Sequence, residues 1–134
     1  ELRDEFEAME CAARDGDEVR MWEHDRRFHR TILEATGNKR LAEFVDGMRD
    51  MVLKRGVSTA ESSRTMLDIV AEHFGVLERL EARDPEGAAD AMRAHLLNTS
   101  GLLLTQEAGD GVTVDLEWAT PSWAPPRTGP AVGG

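Results

Sequence analysis

Apolar residues return every three or four positions along most of this chain, the rhythm of one buried face on an α-helix. Leu2, Phe6, Met9 and Ala13 keep that rhythm in the first segment, and Asp15-Gly16-Asp17 ends it. A second segment, about Glu18 to Ala35, sets Val19, Trp22, Phe28, Ile32 and Leu33 in the same spacing. Gly37-Asn38 then supplies a stop where a left-handed residue is needed. The spacing predicts a third helix from about Lys39 to Arg55, buried along Leu41, Phe44, Val45, Met48, Met51 and Val52 and closed by Gly56. Residues 57–64, with four Ser or Thr and no apolar rhythm, read as a loop or a frayed helix start. A fourth helix follows from about Thr65 to Ala82. At Arg83-Asp84-Pro85-Glu86, Asp84 can cap the next helix, Pro85 suits its first position and Glu86 complements the positive end of its dipole. The fifth helix runs to about Gln106.

Beyond that point the composition changes. Gly109, Gly111, Pro121, Pro125, Pro126, Pro130 and the final Gly133-Gly134 mark residues 107–134 as a tail. The Val112, Val114, Leu116 alternation, with Trp118 and Trp123, leaves open a short strand or packing across a groove. The expectation is therefore an all-α domain over 1–106, followed by an irregular tail over 107–134.

Composition narrows the class. A chain of 134 residues with 40% apolar content suits a single core. Its 26 acidic against 16 basic residues give a formal charge of −10, which repels phosphate backbones and anionic membranes at long range. This chain alone is not expected to bind DNA, and an anionic ligand needs a local positive centre. The lone Cys11 excludes an internal disulfide and fits a reducing cytoplasm. No apolar run approaches the roughly 18 residues of a membrane span, and no signal peptide is recognisable.

Four polar residues stand out against the apolar stripes. Asp25 and His29, at i and i+4, point the same way one turn apart and can share an ion. His73 lies 11 residues before Asp84 and His95 lies 11 after it. In an antiparallel hairpin both stand about 16 Å from the turn, at ~1.5 Å per residue, and so come out level. Ile69, Val70, Val76, Leu77 and Leu80 surround His73, and Met92, Leu96 and Leu102 accompany His95, so both are expected to point inward. Burying such groups unpartnered costs on the order of 1–3 kcal/mol each. A divalent cation supplies the reason, because imidazole nitrogens and a carboxylate suit zinc, nickel, cobalt, iron or manganese. His24 points about 100° away from Asp25 and reads as a surface residue or one behind the ligands.

The stretch Asp25-Arg26-Arg27-Phe28-His29, with Ala35-Thr36-Gly37-Asn38 and Leu41, resembles the opening motif of the FCD domain. That domain is the effector-binding C-terminal half of FadR-subfamily GntR transcription regulators. Glu72-His73, Asp84 with Ala88 or Ala89, Met92 and His95-Leu96 resemble its closing helix pair, so the likeness spans about Leu2 to Gln106. The resemblance implies an antiparallel helical bundle with an internal metal site beside a cavity for a small organic acid. Asp25, His29, His73 and His95 match the metal-ligand motifs, zinc being the first expectation among the metals above. It also implies a homodimer in the cytoplasm that reaches DNA only through an attached winged helix. Against that pattern, this chain carries no winged helix, and the first helix or helices of a full bundle are expected to be missing or outside it.

Arginine is the usual second handle on a carboxylate, because its fork gives two parallel hydrogen bonds. Arg49, Arg55 and Arg64 are the candidates for effector binding, joined by Asn98, which shares the helix face of His95. The expected function is thus a ligand-sensing regulatory domain rather than an enzyme. The competing readings are a metalloenzyme using the three-His, one-Asp ion and a helical dimerisation module with a purely structural metal. Against the enzyme, Glu72 adjoins His73 but points to another face, leaving no evident general base beside the ion.

Overall fold

The computed structural model describes residues 1–54 and 64–108, with the backbone alone at 52–54 and 108. Five helices follow one another: α1 (Leu2–Arg14), α2 (Glu18–Ala35), α3 (Lys39–Lys54), α4 (Met66–Glu81) and α5 (Pro85–Ala108). The described residues are all-α, with no strand among them. α5 extends two residues past the expected end near Gln106. Arg55, Val112, Val114, Leu116, Trp118 and Trp123 lie outside the described residues. No helix among the described residues is long and apolar enough to cross a membrane.

Local chemistry sets the helix ends. Gly16 takes φ +72°, and the Gly16 and Asp17 amides bond back to Ala13 and Ala12 carbonyls in a Schellman closure of α1. Asp17 then caps α2, its carboxylate accepting from the Arg20 amide at 3.1 Å. Gly37, at φ +74°, ends the α2 turn, and Asn38 Oδ1 accepts from the Leu41 amide at 3.1 Å to begin α3. Thr65 and Asp68 form a reciprocal capping box at the start of α4. Asp84 performs the capping role expected of it, accepting from the Gly87 amide at 2.9 Å. Just before it, Arg83 holds a left-handed φ of 56°, a conformation that costs a side-chain-bearing residue about 1 kcal/mol.

α1 packs along both α2 and α4, α4 pairs with α5, and α3 docks on α2 alone to any extent. The core joins Phe6, Met9, Ala12 and Ala13 of α1 to Met21 and Phe28 of α2 and to Ile69, Val70, Val76 and Leu77 of α4. The face Leu2, Phe6 and Met9 covers this protomer's own core, with Phe6 against Phe74 at a ring separation of 5.7 Å.

One expectation fails on α3. Leu41, Phe44, Met48 and Met51 are 40%, 66%, 54% and 68% exposed, so the stripe predicted to be buried is not part of the core. Val45 is half-buried, and the buried positions are Ala42 and Asp46. The cause is charge pairing with α2, which presents arginines to this helix. Arg26 meets Asp50 at 2.6 Å and Arg30 meets Asp46 at 2.9 Å, while Arg49 of α3 meets Asp25. Those pairs turn the acidic side of α3 toward α2 and leave Leu41, Phe44 and Met51 outward, while Val45 and Met48 border a cavity.

Candidate metal centre and cavity

Asp25 and His29 lie on the inward face of α2 because that face also carries Met21 and Phe28 into the core. His73 is fully buried on the face of α4 formed by Ile69, Val70, Val76 and Leu77. His95 stands across from it on α5, and the two rings come within 4.4 Å between centroids. The His29 ring lies 5.0 Å from His73 and 5.4 Å from His95. One nitrogen from each imidazole falls within 4.8 Å of the other two. Neighbouring ligands on a tetrahedral zinc stand roughly 3.3 Å apart, so a modest closure of the side chains brings this cluster onto one ion. The three histidines could hold a metal.

Asp25 flanks the group. Its Oδ1 lies 2.9 Å from His73 Nε2 and 3.7 Å from His29 Nε2, and its Oδ2 meets the Arg49 guanidinium. Burial by itself would raise the Asp25 pKa, but the His73 contact and the Arg49 charge outweigh it and hold the carboxyl well below the usual range. Burial pushes His29 down to about 3. It also lowers His95, with His73 acting in the same direction. At neutral pH the centre therefore offers an ionised carboxylate and neutral imidazoles at His29 and His95.

The spacing of the donor atoms fits a cation. His73 Nδ1 donates to the carbonyl of Ile69 at 2.7 Å, which leaves Nε2 directed to the other members of the group. His73 Nε2 lies 2.9 Å from Asp25 Oδ1 and 3.0 Å from His29 Nε2. These three donor atoms stand 2.9 to 3.7 Å from one another, a spacing that the ligands of one ion can adopt. The donor set is of the kind a borderline-soft divalent ion takes.

His95 is oriented from behind. Its Nδ1 donates to Glu72 Oε2 at 2.6 Å. Glu72 also accepts from Arg64 NH1 at 2.7 Å on each oxygen and from Asn98 Nδ2 at 2.6 Å, and Arg64 NH2 donates to Thr99 Oγ1 at 2.9 Å. Sequence reasoning set Glu72 on another face from His73 and saw no acid-base group beside the ion, whereas the structure brings its carboxylate against His95 of the neighbouring helix. The signal was present in the hairpin arithmetic: Glu72 lies 12 residues before Asp84 and His95 lies 11 after, so they are nearly level. His24 plays no part here, since its Nδ1 bonds Glu5 of α1 at 2.7 Å.

A cavity of about 510 Å³ opens beside the cluster, within the size range of small-molecule sites. Asp25, His29 and His95 form part of its wall, and Trp22, Ile32, Leu33, Val45, Met48, Met92, Leu96 and Leu103 supply most of the rest. Arg49 and Arg64 both border it. They differ in commitment: Arg64 is engaged with Glu72 and Thr99, whereas Arg49 keeps a buried Nε that finds no partner among the described residues. Asn98 is turned to Glu72 and is not part of the wall.

Searches of curated proteins and of solved structures gave no match to the chain. A family model described as the FCD domain matches residues 1–98, a span that includes the three clustered histidines, Asp25 and most of the cavity wall. The chain therefore belongs to the FCD domain family, the effector-binding regulatory domains of GntR-type regulators.

Proposed function

We propose that this domain senses a small organic acid through a divalent cation held by His29, His73, His95 and Asp25. The observation that carries this reading is the convergence of three buried imidazoles and the Asp25 carboxylate beside a largely apolar cavity of about 510 Å³ whose wall includes His29, His95 and Asp25. FCD domains serve transcription regulators as effector-binding modules rather than as enzymes. An ion at the cluster supplies a positive centre to which a carboxylate can bind. With three neutral imidazoles and one carboxylate as ligands, a dication leaves a net local charge of about +1, which offsets the acidic surface of the chain. Nitrogen-rich donors favour zinc, with nickel, manganese, iron and cobalt as the other candidates.

Arg49 is the protein's own handle on the acid. It borders the cavity and has donor capacity at Nε that no described residue uses. The apolar wall receives the carbon skeleton and excludes water. Arg64 and Asn98 belong instead to the support of Glu72, and Arg55 remains a candidate by sequence alone. Regulation then follows from a difference in affinity: an acid that binds one arrangement of a homodimer better shifts the DNA affinity of an attached winged helix by that difference. Residues 1–106 would form the sensor, with 107–134 a separate tail, in a cytoplasmic protein.

Metal analysis of the purified protein, paired with thermal melts across a panel of small carboxylates, tests the reading. Bound metal near one equivalent is expected, along with a carboxylate-induced rise in Tm that is lost in His73→Ala and in Arg49→Met. Absence of metal, with no loss of stability in His73→Ala, overturns the metal reading. Turnover of a carboxylate that the same substitutions abolish would overturn the regulatory one.

A further inference from the structure

Glu72 is the one acidic side chain in the described centre that touches a clustered histidine on the side opposite the other imidazoles. It is half-buried on α4, yet four hydrogen bonds from three side chains converge on its two oxygens. His95, Asn98 and Thr99 lie at i, i+3 and i+4 on α5, so one face of that helix reaches this single carboxylate and its arginine. The consequence for His95 is definite. With Nδ1–H committed to Glu72, the lone pair of Nε2 is left for the cluster, and the ring cannot turn without breaking a 2.6 Å charge-assisted bond.

We propose that Glu72, braced by Arg64 and Asn98, is the positioning residue that makes His95 a cation ligand. Through Arg64, which also borders the cavity, the same carboxylate links the acid pocket to the ion. The inference rests on the metal reading above, and it adds a residue that acts through His95 rather than on the ion itself. Loss of such a carboxylate behind a histidine ligand weakens metal binding by about 10- to 100-fold.

The test titrates zinc ion alone into the metal-stripped full chain by calorimetry, with thermal melts in chelator and in zinc. Glu72→Gln and Glu72→Ala are compared with wild type and with Glu5→Gln. Glu5 is a matched control, because it also accepts from a histidine across a helix pair, His24 at 2.7 Å, but away from the cluster. Zinc affinity is expected to fall about 10- to 100-fold in both Glu72 variants and to remain at the wild-type value in Glu5→Gln. Arg64→Met is expected to fall between them. A purely structural Glu72 would lower the chelator-state Tm and leave zinc affinity unchanged, and that result overturns the proposal. Equal losses in Glu5→Gln overturn it too. If wild type itself takes no zinc, the metal reading falls first and this inference with it.

Discussion

Two phenylalanines on adjacent helices provide a direct test of how the bundle is assembled. Phe28 is fully buried, with its ring edge-on to His73 at 5.2 Å and to His29 at 5.9 Å. Truncation to Ala withdraws about 150–250 Å² of apolar burial, which at about 25 cal/mol per Å² is about 4–6 kcal/mol. Measured Phe→Ala losses in cores run about 3–5 kcal/mol, so about 4 kcal/mol is expected for Phe28→Ala. Phe44 is 66% exposed, leaving about a third of that burial, or about 1–2 kcal/mol. Because a whole domain is stable by only about 5–15 kcal/mol, Phe28→Ala should bring the metal-free chain near its unfolding threshold, and Phe44→Ala should not. Urea unfolding followed by circular dichroism measures both, compared at constant m-value. Equal losses for the two variants would refute the outward orientation of α3, and a loss below 1 kcal/mol at Phe28 would refute the core around His73.

Other consequences follow from the helix ends and the buried imidazoles. In metal-free protein the His29 pKa near 3 lies below its unfolded value of about 6.5, so only the unfolded chain gains a proton between those limits. Stability should therefore fall as pH drops from about 6.5 toward 3, by up to about 1.4 kcal/mol per unit. Urea midpoints at several pH values would show this acid limb, and His29→Gln should flatten it. Thr65→Ala removes one half of the capping box on α4 and should cost about 1 kcal/mol in the same assay. Arg83→Gly relieves the left-handed strain at φ 56° and should raise stability by up to about 1 kcal/mol; a loss instead would show that the Arg83 side chain matters more than its backbone.

The legible part of the fold was that written in local chemistry. Gly16, Gly37 and Asp84 set helix ends where their backbone freedom or capping oxygen predicts, and the expected helices differ from the observed ones by about two residues or fewer at the ends that can be compared. The equal arms about Asp84 also anticipated that His73 and His95 would meet. What periodicity lacks is the identity of the surface that a helix faces. On α3 the stripe Leu41, Phe44, Met48 and Met51 reads as a core face, but Arg26 and Arg30 of α2 select the acidic side of α3. That choice depends on which helices become neighbours. Glu72 was missed for a related reason: it was judged only against its own helix, whereas its partners His95, Asn98 and Thr99-bound Arg64 come from elsewhere in the chain.

His73 differs from the other residues of the cluster in one respect: it lies behind the cavity wall, while His29, His95 and Asp25 form part of that wall. Under the proposed function, a chelator approaching through the cavity meets His29 and His95 first and His73 last. An acid lodged there stands across the same path. Occupancy of the sensor then has an order in time as well as an equilibrium: the cluster loads before the acid, and a filled cavity delays unloading. Stopped-flow extraction by a chelator should accordingly slow as the carboxylate saturates. A rate indifferent to the carboxylate would mean that the cluster exchanges by another route.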